Sequence, residues 1–313
     1  VANQDQRFYY EPLFSGHPKG DLEPVTFAGK EMKAPLWVSS MTGGTKEAGT
    51  INRNLAKACG QFGLGMGLGS CRIILKDDEY LPDFQLRKEM GDYPLYANLG
   101  VAQLEELFDE GKENLVAELI KRTETDGLII HVNPLQEWLQ PEGDVFNASP
   151  LDIIKRTLDL DVKVIVKEVG QGFGPESLKA LMQLPLTAID FGAHGGTNFS
   201  KLEMHRSDKM RHEAYDTVAS WGHSAAEMVG FYNCLTEELG KANTNADILI
   251  SGGIRDFMDG YYHTERINAN AIYGQASAFL KHSRGSYAEL EEYVELQLKG
   301  LKLAKTYLRL RDK

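Results

Sequence analysis

The 313-residue chain is poor in cysteine, with only Cys59, Cys71 and Cys234 and no CxxC pair. That excludes a disulfide framework and a cysteine-built zinc site, and it fits a reducing, cytoplasmic compartment. No apolar run approaches the roughly 20 residues that cross a bilayer, so no membrane partner is expected. The polar start, Val1-Ala-Asn-Gln-Asp-Gln-Arg7, does not read as a secretory signal. Positive charge is also short: 34 Lys and Arg stand against 45 Asp and Glu, a net charge of −11. Nucleic acid is therefore a poor partner, although a local basic pocket for a small anion stays open. No low-complexity linker or composition break marks a domain boundary, and no GxGxxG turn follows the first strand candidate.

What recurs instead is a short apolar run followed by an amphipathic stretch. The runs are 35–41, 63–69, 94–100, 127–133, 162–169, 187–192, 246–253 and 270–276. Helical spacing of apolar residues predicts helices over 104–124, 151–158, 175–182, 225–239 and 288–307. Eight strand–helix units in one chain predict an α/β fold, a single (β/α)8 TIM barrel over 1–313, with 1–30 as an N-terminal extension. The GxGxG at 63–67 falls inside a strand, where close packing is its expected role. An irregular insert is expected over 198–212.

Function in such barrels collects at the C-terminal ends of the strands. Those ends carry Ser40-Met41-Thr42-Gly43, Ser70-Cys71-Arg72, Asn98, Lys167-Glu168, His194-Gly-Gly-Thr197, Ser251-Gly-Gly253 and Gly274-Gln275. The fourth end is the densest: His131-Val-Asn133-Pro-Leu-Gln136-Glu137. Turn chemistry supplies Gly, Pro and Asn, but not a Lys, a His and an Arg besides. The glycines after the seventh and eighth strands could offer backbone N–H groups to a phosphate. Lys167 could hold the electron-rich edge of a cofactor ring. Glu137 is a hard oxygen ligand of the kind Mg²⁺ takes beside an anion. Read as an extended segment, Gln136 and Glu137 would point to opposite sides.

The motifs APLWVSSMTGGT, GLGMGLGSCRIIL, PLYANLG, HVNPLQEWLQPEGD, VIVKEVGQG, AIDFGAHGGTNF and ILISGGIRD closely resemble the type 2 isopentenyl-diphosphate isomerases. Members of that family are FMN-dependent barrel enzymes of isoprenoid biosynthesis, interconverting isopentenyl and dimethylallyl diphosphate. The resemblance implies FMN contacts from Ser40, Met41, Thr42, Gly43, Ser70, Asn98, Lys167 and Thr197. It implies a phosphate end built by Gly252, Gly253, Arg255, Gly274 and Gln275. His131, Asn133, Gln136 and Arg72 would line the substrate pocket, the first three as the catalytic set, and Glu137 would hold Mg²⁺ against the diphosphate. NADPH would reduce the FMN, and the reduced flavin would provide the proton, with Gln136 orienting or relaying. A homo-oligomer of four or eight copies is likewise implied.

Two departures accompany the resemblance. The family's Arg-Lys-x-x-His diphosphate clamp would precede Val1, so upstream residues carrying it are expected. The alternative is that a basic insert with Lys201, His205, Arg206, Lys209, Arg211 and His212 substitutes for it. His194-Gly-Gly also motivates an alternative, an FMN-dependent oxidase or dehydrogenase of a small 2-hydroxy acid. A non-catalytic FMN-binding relative is the third reading.

Overall fold

All eight apolar runs form strands, buried over most of their length as expected for a parallel sheet covered on both faces. In the computed structural model, which describes residues 4–41, 47–206, 209–240 and 245–311, they are shorter than the runs themselves. They are β1 Leu36–Val38, β2 Gly65–Gly67, β3 Leu95–Gly100, β4 Gly127–Val132, β5 Val164–Glu168, β6 Ala188–Asp190, β7 Asp247–Ile250 and β8 Ala271–Gln275. Each pairs in parallel with its sequence neighbours, and β8 returns to β1, closing a (β/α)8 barrel. Thr42 and Gly43 lie outside the described residues, as do the side chains of His205, Lys209, Arg211 and His212.

Helices Pro150–Leu158, Pro175–Met182, Ala225–Leu239 and Tyr287–Tyr307 stand where their periodicity predicts them. Three expectations fail. The stretch 104–124 is two helices, Val101–Asp109 and Asn114–Thr123, because Gly111 takes a left-handed φ of 63° between them. The insert is not irregular: it forms helices Phe199–Arg206 and Lys209–Tyr215 and a 3-10 turn Asp216–Ser220. Gln136 and Glu137 are not extended either. They lie on the helix Pro134–Leu139, where Pro134 occupies the first turn and its missing N–H costs nothing.

The registers fix which side chains point inward. Trp37 pairs with Gly65, Gly67 with Tyr96, Ile129 with Ile165, Ile165 with Ala188, and Leu249 with Ile272. These inward apolar residues pack on Phe27, Ala28 and Met32 of the hairpin Val25–Phe27/Lys30–Met32, which plugs the N-terminal end. The GxGxG motif packs as expected: a Cβ on Gly65 would sit 2.3 Å from the Trp37 ring, and one on Gly67 2.7 Å from Ile129.

Strand side chains alternate, so the next inward positions toward the C-terminal ends follow by counting two. They are Ser39, Gly67, Asn98, His131, Lys167, Asp190, Ser251 and Gly274. Every one is polar or glycine. An apolar floor thus meets a polar layer at a single step of the strand period, and that layer is the base of the site.

Candidate active site

The polar layer is wired along the ring. Asn98 Nδ2 donates to Ser40 Oγ at 2.9 Å, which leaves Asn98 Oδ1 to accept from His131 Nδ1 at 2.6 Å. This assignment places the imidazole proton on Nδ1 and a lone pair on Nε2. Burial, and then the neighbouring Lys167 charge, push the His131 pKa down to about 4, so the ring is neutral at physiological pH. Lys167 lies beside His131 in the sheet register and is itself buried. Its ammonium pairs with Asp190 at 3.0 Å. Ser251 donates a short hydrogen bond to the same carboxylate and accepts from Gly192 N at 3.1 Å.

The fourth strand end forms a second cluster. Asn133, fully buried, donates through Nδ2 to Glu137 Oε1 at 2.9 Å and to Gln136 Oε1 at 3.3 Å. The other Glu137 oxygen accepts from Asp144 N at 2.8 Å. Asp144 in turn receives Arg72 at 3.0 Å and Gln103 Nε2 at 3.2 Å. Buried Glu105 anchors that loop from behind, accepting from Asn147 N and Ala148 N. A cleft of about 450 Å³ opens here, lined by Glu137, Trp138, Asp144, Phe146 and Tyr215 among others.

The loop after β7, the expected phosphate end, has the conformation that glycine allows. Gly252 has φ 86°, and a Cβ there would fall 2.0 Å from Ala193 O. Gly253 sits against Gly195 and Gly196 of the sixth loop. Arg255 points elsewhere: its side chain is 80% exposed, and both its backbone N and its guanidinium bond Asp259, which also holds Arg7 at 2.7 Å. Gln275 is buried, with Oε1 accepting from Tyr293 OH at 3.3 Å. Ser70 and Thr197 are exposed, and Met41 packs against the main core.

The buried polar atoms of this region without a hydrogen-bond partner include Ser39 Oγ, Asn133 Oδ1, Gln275 Nε2 and Asp190 Oδ2, the last held by the Lys167 charge alone. Ser39 Oγ and Gln275 Nε2, beside the glycine-relieved layer, are atoms that a bound polar cofactor would satisfy, so the residues present fit FMN. Among the described residues no group of three His, Cys, Asp or Glu side chains could hold a metal ion. Mg²⁺ at Glu137 would rest on one carboxylate, waters and substrate oxygens, a normal set for that ion.

The basic insert does not offer a free cation at Arg206. One guanidinium nitrogen pairs with Glu203 at 2.7 Å, the other with Glu142 at 2.6 Å. Met204, Val218 and Leu139 form a small core that seats the insert on the helix bearing Gln136 and Glu137. His194 turns toward this insert, with Nε2 3.3 Å from Ala219 O. Ser39 and Asp190 are absent from the residues expected by sequence. Counting two positions on from Trp37 and Ala188 would have found both.

No family model matches the chain. Curated relatives do. An isopentenyl-diphosphate delta-isomerase of Rickettsia felis is 34% identical over 280 residues, 89% of this chain and 78% of the relative. One from a Nostoc species is 37% identical over 275 residues, 87% of this chain and 75% of the relative. The chain belongs to the isopentenyl-diphosphate delta-isomerase family. Solved flavoenzymes share the fold of this isomerase-family chain at much lower identity. The flavin-binding domain of baker's yeast flavocytochrome b2 superposes with TM-score 0.66 at 11% identity, covering 96% of this chain and 72% of that one. A mandelate oxidase mutant gives TM-score 0.58 at 13% identity, covering 97% and 88%. No helix among the described residues is long and apolar enough to cross a membrane.

Proposed function

We propose that the chain interconverts isopentenyl and dimethylallyl diphosphate at the C-terminal mouth of the barrel, with FMN above the polar layer and Mg²⁺ at Glu137. The observation that carries this reading is the adjacency of two groups: the Asn98–His131–Lys167–Asp190 arc and the Asn133–Gln136–Glu137 cluster, both rooted in strand β4. Bound FMN, reduced by NADPH, would supply the proton-donating chemistry, while Mg²⁺ would screen the diphosphate charge.

The chain's own residues divide the remaining work. Lys167, fixed by Asp190, presents a cation to a ring edge. His131 is neutral, so it cannot serve as an imidazolium acid near pH 7; with Nδ1 tied to Asn98 it offers Nε2 as an acceptor. Gln136 has no useful acidity, so it orients the substrate carbon end. Asn133 holds Gln136 and Glu137 in one geometry, and Arg72 stands over the same cluster through Asp144. Gly252 and Gly253 would admit the cofactor phosphate close to the backbone.

The hydroxy-acid alternative is not favoured. His194 is turned to Ala219 O rather than into the polar layer, and the relatives carry the isomerase name. Anaerobic incubation of the purified protein with isopentenyl diphosphate, FMN, NADPH and Mg²⁺ tests the proposal. Dimethylallyl diphosphate is the expected product. Oxidation of a 2-hydroxy acid under air, or flavin binding with neither reaction, would overturn it.

A further inference from the structure

Lys167 is the basic side chain of the inward layer, and it does not stand alone. Its Nζ lies 3.0 Å from Asp190 Oδ2 and 3.4 Å from Ser251 Oγ. Asp190 is 1% exposed, so its charge is buried as deeply as any in the barrel. Such a carboxylate persists only with good partners. It has two: the ammonium and the Ser251 hydroxyl, which itself accepts from the Gly192 N–H. The three side chains come from β5, from β6 and from the residue directly after β7, so the sheet itself sets their spacing.

Lys167 is 9% exposed, so its ammonium meets little solvent and its charged partner is Asp190. Asp190 fixes where the ammonium sits and cancels its charge. With His131 neutral beside it, the inward layer carries no net charge. A ring that becomes electron-rich on reduction meets a weaker positive field there than a bare lysine would give.

We propose that Asp190 is a positioning residue that holds Lys167 and offsets its charge, thereby limiting how much more tightly the site binds reduced than oxidised flavin. The inference rests on the FMN reading above. By it, the ratio of affinities for reduced and oxidised FMN depends on the charge of the Lys167–Asp190 pair. Neutralising Asp190 leaves the layer one unit more positive, and removing the lysine leaves it one unit more negative.

The test is FMN binding to the whole protein in both redox states, with thermal melting as a folding control. In Asp190→Asn the reduced-to-oxidised affinity ratio should rise at least about tenfold, which corresponds to about +30 mV for a two-electron couple. Lys167→Met should shift the ratio in the opposite direction. The double variant should return to within about threefold of the parent, because its layer is again neutral. Ser251→Ala, which keeps both charges, should move the ratio less than Asp190→Asn and in the same direction. A purely structural Asp190 would lower melting and affinity in both redox states without moving the ratio, and that result overturns the proposal. So does a double variant no closer to the parent than either single one. If the parent binds no FMN, the cofactor reading fails first and takes this inference with it.

Discussion

Asn133→Ala removes one buried side chain whose amide holds both Gln136 and Glu137. The bond to the Glu137 carboxylate is charge-assisted, a class that contributes about 1.5–3 kcal/mol, and the bond to Gln136 is neutral, about 0.5–1.5 kcal/mol. If both act fully in the transition state, the loss is about 2–4.5 kcal/mol, or about 30- to 2,000-fold in kcat/KM. The lower half of that range is the firmer expectation, since Asp144 N still holds the other Glu137 oxygen. Initial rates of diphosphate isomerisation across a Mg²⁺ series measure it, with FMN affinity and melting recorded on the same samples. Flavin affinity should stay within about twofold, because Asn133 donates to the fourth-strand cluster and not to the Lys167 network. Rates within about threefold of the parent, in a folded variant, would refute the claim that Asn133 organises this cluster. A fall in FMN affinity instead would move Asn133 into the cofactor site.

The other expectations follow from the same contacts. Glu137→Gln should abolish most activity while retaining FMN, and excess Mg²⁺ should partly restore turnover; loss of flavin would contradict a metal role. His131 has a folded pKa of about 4 against 6.5 in the unfolded chain, so the folded state binds fewer protons between those values. Stability is therefore complete above pH 6.5 and lost as pH falls toward 4, by about 2 kcal/mol at about pH 5. Urea midpoints at neutral pH and about pH 5 should separate less in His131→Gln than in the parent, where buried His263 contributes a similar loss. Arg206→Ala should leave the KM for isopentenyl diphosphate within about twofold, because its guanidinium is committed to exposed Glu142 and buried Glu203. A large rise in KM would make Arg206 a substrate ligand.

The barrel was legible because its strands are buried on both faces and announce themselves as eight apolar runs. What the runs could not reveal was register, since a shift of one residue turns every side chain to the other face. Asp190 illustrates this: inside AIDFG it reads as a polar interruption, and only its pairing beside Lys167 gives it a place in the layer. The HVNPLQE stretch was legible as a chemical cluster but not as a helix. Read as extended, it sets Gln136 and Glu137 on opposite sides, whereas a proline at the first helical position begins a helix here. The break at Gly111 escaped because the apolar spacing on either side continues through it. The basic insert escaped for a different reason. Its charges are plain in the sequence, but the acidic partners of Arg206 are not: Glu142 lies on a loop 64 residues away.

Stoichiometry distinguishes flavin-dependent isomerisation from a redox reaction most directly. An isomerisation has no net redox change, so the reduced flavin should turn over many substrates without being consumed. Purified protein, FMN, Mg²⁺ and a limited amount of NADPH, incubated anaerobically with excess isopentenyl diphosphate, can be followed by proton NMR for product and by absorbance for NADPH. Dimethylallyl diphosphate should accumulate far beyond the NADPH oxidised. One NADPH lost per product formed, or no product from a flavin-loaded protein, would contradict the claim that this barrel mouth is a flavin-dependent diphosphate isomerase site.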